Sequence, residues 1–336
     1  MGGVQITNKD EAPHPFSQHV MTIEDPRWNL ILEGVLMERS NRRWWRSNGF
    51  KGWMLCLPAV LLLFVFYVVP AMVGLGVSLT EWDGLSPKMT FIGLANYERL
   101  FTTKRFWNSV MVNWVIVIGT LLTQLPISIL LAGMLRKKNR FSKVYRLAAF
   151  APQVLSIAAV GMIWGILYDP YQGLLNNVAQ QLGFEHFRIA WLGDRAYVLP
   201  SMLLTTTWFY FGFHTLLMMA GMAAIPEEYY DAATLETKNR IHILWHITIP
   251  LLREQILVSF VLIFAGGFGH LMGLFAIMTS GGPAGATELM GLYMQKLGFV
   301  GRQLGQASAV SVLMLIIVFS VLIYPAIRVA RERLEY

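Results

Sequence analysis

The stretch Pro226–Pro250, PEEYYDAATLETKNRIHILWHITIP, decides how the whole chain is read. It is polar and rich in helix formers, yet it lies between two apolar runs, each long enough to cross a bilayer. Pro226 suits a first helical turn, and Glu227 and Glu228 complement the positive end of a helix. Read alone, the stretch is either a connector between spans or a docking surface offered to something in water.

Its surroundings are those of a polytopic membrane protein. The chain has 336 residues, 55% of them hydrophobic and 14% charged, with a mean hydropathy of +0.50. Soluble domains carry roughly 25% charge. Six apolar runs follow one another: Trp53–Leu79, Ser109–Leu135, Leu147–Leu167, Val198–Met222, Ile256–Met278 and Ala307–Val329. Each reaches the roughly 20 residues that a helix needs to cross a bilayer core of about 30 Å. Pro58, Pro70, Pro126, Pro152 and Pro325 lie in or near these runs and point to kinked helices in a packed bundle. The expectation is therefore an all-α membrane protein with six transmembrane helices.

Lysine and arginine set the orientation. They concentrate in residues 1–52, in the loop 136–146 with its run Arg136-Lys137-Lys138-Asn139-Arg140, in 223–253 and in the tail from Arg328. Fewer fall in 80–108, 169–197 and 279–306. Both termini and Pro226–Pro250 are thus expected in the cytoplasm. Residues 1–50 form an N-terminal cytoplasmic segment, and 51–336 the six-span body. Trp28–Met37, followed by Arg39, Arg42, Arg43, Trp44, Trp45 and Arg46, reads as a helix at the lipid surface. A disordered basic lead-in and a partner-binding arm are the alternatives. No cleavable signal peptide is evident at the start.

Several function classes fall away. The basic residues sit between apolar runs, so the net charge of +7 is not a nucleic-acid signature. A single cysteine, Cys56, supports neither a disulfide framework nor a cysteine metal site. No Gly-x4-Gly-Lys-Ser/Thr loop is present, so nucleotide binding by that route is not expected, nor a cofactor on this chain. The middle thirds of the spans hold no Asp, Glu, Lys or Arg, which argues against a carrier with buried charge relays. No Ser/His/Asp set or carboxylate pair suggests an enzyme. His214 and His270 lie inside spans and read either as packing groups or as polar groups on a solute path.

Within the opening stretch, Asp231-Ala232-Ala233 followed by Ile247, Ile249 and Pro250 resembles the "EAA" motif of ATP-binding-cassette importer permeases. That motif reads Glu-Ala-Ala, three residues, Gly, nine residues, then Ile-x-Leu-Pro. Here Asp231 stands for the glutamate, Thr237 for the glycine and Ile249 for the leucine. Phe91-Ile92-Gly93-Leu94-Ala95-Asn96-Tyr97, Gly173, Asn176, Trp191-Leu192, Trp208, Gly212, Phe213 and Thr279-Ser280-Gly281-Gly282-Pro283 fit the same family. The resemblance covers about residues 53–331. It is nearest the carbohydrate-uptake branch, the type of the larger maltose-importer permease subunit.

The resemblance implies the type I importer permease fold and a partner set: an ATPase dimer, a second permease subunit, an extracytoplasmic solute-binding protein and membrane lipid. Residues 226–250 would be the coupling segment that docks in a cleft of the ATPase. Asp231 would meet a basic partner there, and Ala232 and Ala233 would allow close packing. Tyr229, Tyr230, Leu235, Ile241 and Leu244 would be apolar docking or hinge positions, with Thr237, Ile247 and Pro250 completing the motif. It also implies a solute pathway past Phe209, Tyr210 and Phe213 and past Ile263, Gly266, Gly267 and His270, with Gly281, Gly282 and Pro283 in an external loop that receives the binding protein. Gly266 and Gly267 either leave room for solute or allow helices to approach. A stand-alone channel or secondary carrier is the alternative function.

Overall fold

The computed structural model describes residues 44–135, 142–184 and 186–332. The expected surface helix over Trp28–Met37, Arg39, Arg42 and Arg43, and the basic run 136–140 lie outside the described residues. The chain divides into two compact units, Met1–Pro70 and Ala71–Tyr336. The described part of the first holds α1 (Trp44–Leu63) and a π-helical turn, Phe64–Val68, with apolar side chains such as Leu55, Phe66 and Tyr67 exposed.

The second unit holds the packed bundle. It begins at Ala71 within α2 (Val69–Ser78), followed by a two-residue antiparallel ladder pairing β1 (Thr80–Glu81) with β2 (Thr90–Phe91), and α3 (Ala95–Thr102). The long α4 (Lys104–Leu135) follows, then α5 (Ser142–Val154), α6 (Ile157–Leu167), the short α7 (Leu174–Gln181) and α8 (Arg195–Ala224). Next come α9 (Glu227–Glu236), α10 (Arg240–Ile243), a π-helical turn Leu244–Thr248 and α11 (Ile249–Leu251). The chain ends with α12 (Arg253–Phe268), α13 (Leu271–Met278), α14 (Met290–Gln295), a π-helical turn Lys296–Val300 and α15 (Leu304–Glu332).

Among the described residues, three helices are long and apolar enough to cross a membrane unaided: Gly52–Ser78, Lys104–Leu135 and Leu304–Ile323. Three bent pairs raise the possible number of spans to six. Two expected spans are not single helices. The run Leu147–Leu167 bends by 100° between Val154 and Ile157, where Ser156 caps α6 by accepting a hydrogen bond from the Ala159 N–H. A serine N-cap satisfies a donor that a continuing helix would have bonded, so it ends one helix and starts another. The run Ile256–Met278 breaks at Gly269–His270, between α12 and α13.

α4 and α8 form the centre of the bundle. Small residues and hydroxyls line their contact. Thr123 and Thr207 share a hydrogen bond of 2.8 Å, Gln124 Nε2 donates to the Thr206 carbonyl at 3.2 Å, and Ser128 Oγ donates to the Phe211 carbonyl. Such interhelical bonds average only about 0.6 kcal/mol in membranes. They set register, while close packing supplies most of the cohesion. Gly212 brings α8 against the backbone of Ala149 in α5, and Gly267 brings α12 against Val117 in α4. A second cluster, which includes Ala132, Met218, Met222, Tyr230 and Leu252, buries one end of the bundle and anchors α9.

Candidate functional site

Three regions carry the expected site residues. In the first, α9 leaves α8 at 83° and turns one face inward. Tyr230 and Ala233 are buried, three residues apart and so on one side of the helix. Thr248 donates a long hydrogen bond to the Tyr230 hydroxyl. Asp231, Ala232 and Leu235 fall on the opposite side and are exposed, with Leu235 at 89%. Tyr229 is exposed too, and Ile241 at 66% and Trp245 at 62% continue the apolar surface. Leu244 and Ile247 are half-buried in the π-helical turn, followed by exposed Pro250 in α11. The sequence reading omitted Trp245, which its spacing from Ile241 on one helical face could have suggested.

Thr237 shows how the segment turns without the motif glycine. Its φ and ψ of −148° and 140° are extended, a region that suits a β-branched residue. The Thr237 hydroxyl accepts from the Asn239 N–H at 3.1 Å, and Asn239 Oδ1 in turn accepts from the Ile241 and His242 N–H groups. Two side-chain caps thus make the turn, and no left-handed residue is needed.

The second region is a cavity of about 270 Å³ between α4, α5, α8, α12 and the start of α13. Six of the seven pathway residues line it: Tyr210, Phe213, Ile263, Gly266, Gly267 and His270. Phe209 does not. It is 4% exposed, packs in the main core and meets the Tyr210 ring edge-on at 4.6 Å. The two readings of the glycines divide between them. A Cβ on Gly266 would meet nothing within 4 Å, so that residue leaves room, whereas one on Gly267 would collide with Val117. The cavity also draws in Thr120 and Gln124 from α4, Gln153 from α5, and Thr206 and His214 from α8. Of these the sequence reading named only His214, as a packing group or a polar group on a solute path; it missed the other four, for which uncharged glutamines inside apolar runs were the available signal. His214 shares a 3.2 Å hydrogen bond with Ser259.

The third region is the loop after α13. Ser280 and Gly281 adopt φ of 49° and 84°, and the Gly282 N–H closes the turn on the Thr279 carbonyl at 2.8 Å. Gly281 and Gly282, but not Pro283, line a crevice of about 520 Å³. At its base Glu288, 1% exposed, accepts two hydrogen bonds from Arg105, through Nε at 2.6 Å and Nη2 at 2.7 Å. It accepts a third from Lys296 Nζ at 2.8 Å. Arg105 also lies over the Tyr293 ring at 5.6 Å. Burial pushes the Glu288 carboxyl up, but the hydrogen bonds and charges of Arg105 and Lys296 outweigh it and hold the carboxyl below its ordinary value.

A depressed carboxyl contributes stability that is present above its unfolded pKa and lost as pH falls through the folded one. Glu288→Gln is therefore expected to lower stability by about 1–3 kcal/mol at neutral pH. The difference from the unaltered chain should shrink as the pH drops below the ordinary carboxylate range, as read by thermal unfolding in detergent across pH. A difference independent of pH would contradict this account.

Residues 124–333 match the family described as binding-protein-dependent transport system inner membrane component. Among relatives, the "Probable ABC transporter permease protein YurN" of Bacillus subtilis (strain 168) is 31% identical over 274 residues, covering 81% of this chain and 93% of the relative. The "Diacetylchitobiose uptake system permease protein NgcF" of Streptomyces coelicolor (strain ATCC BAA-471 / A3(2) / M145) is 28% identical over 277 residues, covering 79% and 78%. The fold is shared with a chain of the solved "bacterial alginate ABC transporter in complex with alginate pentasaccharide-bound periplasmic protein". There the TM-score is 0.70 at 20% identity, over 85% of this chain and 94% of that one. The match spans more than half of the chain and contains the cavity-lining helices α5, α8 and α12 and the α9–α11 segment, so the chain belongs to the family of inner-membrane components of binding-protein-dependent transport systems.

Proposed function

We propose that this chain is a membrane-spanning subunit of an ATP-driven importer for a sugar, oligosaccharide or polyol, with six spans and both termini in the cytoplasm. An ATPase dimer docks on residues 226–250, a second permease subunit completes the translocation path, and a solute-binding protein delivers solute at the outer loop containing Gly281, Gly282 and Pro283. ATPase closure, transmitted through α9, moves the spans between inward- and outward-open states in a bacterial or archaeal plasma membrane.

The observation that carries this reading is the cavity. It joins an aromatic wall, Tyr210 and Phe213, to a rim of uncharged hydrogen-bonding groups and to the open space above Gly266. Aromatic faces suit the C–H faces of sugar rings, and Tyr210 and His270 can bond hydroxyls. The uptake system named for one relative, that for diacetylchitobiose, supports a saccharide. In vesicles holding the whole importer, Tyr210→Ala and His270→Ala are each expected to cut ATP-driven uptake at least tenfold, about the loss of one or two solute contacts. Normal uptake in both would refute the assignment of this cavity.

A further inference from the structure

We propose that the crevice beside the outer loop seats an acidic side chain of the solute-binding protein, met first by Lys104 and then by Arg105. This rests on the importer reading above and deepens it by naming the chemistry that the partner must bring to this loop.

The crevice is preformed, because side chains pin the loop that walls it. Lys296 Nζ donates to the Ser280 carbonyl at 2.7 Å, and Asn108 Nδ2 donates to that of Gly285 at 2.7 Å. Thr287 Oγ1 donates to the Gly282 carbonyl at 2.7 Å and shares a hydrogen bond with Thr279 Oγ1. A wall fixed in this way loses little freedom when a partner arrives.

The charge inside it is unbalanced. Three cations, Lys104, Arg105 and Lys296, line the crevice against one carboxylate, Glu288. Glu288 is fully engaged: Oε1 accepts from Arg105 and Lys296, and Oε2 from Arg105. Arg105 spends two of its five N–H groups on that carboxylate, and its side chain stays 56% exposed. Lys104 is exposed and, among the described residues, pairs with no carboxylate.

A small anion from solution gains little from such exposed charges. A carboxylate carried on a folded surface gains more. Its surroundings make contacts of their own with the loop, and the charges steer the encounter and fix its register. Gly281 and Gly282 wall the crevice, so the cations are continuous with the loop proposed above to receive the binding protein.

The test uses the whole importer in vesicles, with ATP inside and its own solute-binding protein outside. Lys104→Glu is expected to raise the binding-protein concentration for half-maximal uptake about tenfold, one exposed pair lost and a repulsion put in its place. The rate at saturation should be kept, and Lys104→Arg should behave normally. Added salt should weaken the unaltered importer's response to the binding protein and affect Lys104→Glu far less. A carbodiimide, which couples amines to carboxylates, should join Lys104 to an Asp or Glu of the binding protein, and the product should be missing in Lys104→Arg. Lys104 takes no part in holding Glu288, so these variants are expected to fold. Unchanged half-saturation in Lys104→Glu overturns the proposal, as does a fall in the saturating rate alone. Loss of the second permease subunit on purification of Lys104→Glu gives the crevice to that subunit, and an effect seen only when phosphatidylglycerol is added to the vesicles gives it to a lipid headgroup; either overturns the proposal. Uptake that needs a binding protein but ignores Lys104 leaves the importer reading standing, whereas uptake that needs none removes both.

Discussion

Leu235→Asp is expected to abolish ATP-driven uptake while leaving the subunit folded. Leu235 is 89% exposed on a ten-residue helix whose other face is buried through Tyr230 and Ala233. A leucine so placed contributes almost nothing to this chain's own stability. Burying it in a partner's cleft is worth about 1.5–3 kcal/mol, and a carboxylate there adds a desolvation cost. Together these weaken docking by two to three orders of magnitude. Asp231→Lys, on the same face, reverses a charge that the resemblance assigns to a basic partner and is expected to act in the same direction. Tyr230→Ala should behave differently. It removes a buried ring from the cluster around Met218, Met222 and Leu252 and costs about 3–5 kcal/mol of stability. Co-purification of the ATPase, vesicle uptake and thermal unfolding separate the two cases. Uptake within twofold of normal for both Leu235→Asp and Asp231→Lys would remove the docking assignment.

The second large effect is expected inside the membrane. Gly212→Ala should prevent α5 and α8 from packing, at a cost of about 3 kcal/mol or more. Overfilled cores commonly lose 1–3 kcal/mol when side chains can adjust. Here the added methyl would land on the Ala149 carbonyl oxygen, a backbone atom fixed within α5. No rotamer change relieves that collision; one helix must move, and the cavity wall that holds Gln153 moves with it. Gly133→Ala in α4 is the control, because a Cβ there meets nothing within 4 Å. Its helix propensity improves by about 1 kcal/mol. A Gly212→Ala subunit with unchanged yield and unfolding temperature would show that α5 can shift freely, and the close-contact account would fail.

These effects differ in how legible they were in the sequence. The α9 segment could be read because its signal is local: Pro226, two acidic residues and the spacing from Asp231 to Pro250 all lie within one short stretch. Its turn was less legible. Thr237 looked like a defect against a glycine pattern, yet the Thr237 and Asn239 side chains build the turn by another route. The spans could be counted as apolar runs, but hydropathy cannot see where a run bends. The 100° break beside Ser156 depends on one cap, and the break at Gly269–His270 falls within an uninterrupted apolar pattern. The cavity was half legible. Its aromatic wall lies on α8 and followed from the family pattern, whereas Gln124 and Gln153 enter from α4 and α5 and become neighbours only after packing. Glu288 and Arg105 lie 183 residues apart, and no periodicity connects them. Phe209 was misplaced for a related reason: consecutive residues on a helix face different ways, and its ring turns into the core behind Tyr210.

The exposed face of the segment from α9 to the π-helical turn Leu244–Thr248 also bears on how much of this protein a cell can hold. Leu235, Ile241 and Trp245 leave apolar surface in water for as long as no partner covers them. Uncovered apolar patches invite self-association and capture by quality-control proteases, so on the proposed docking a copy made in excess of its partners would be short-lived. If an ATPase docks on this surface as proposed, the same surface also reports whether assembly has occurred, and ties the abundance of one subunit to that of the others.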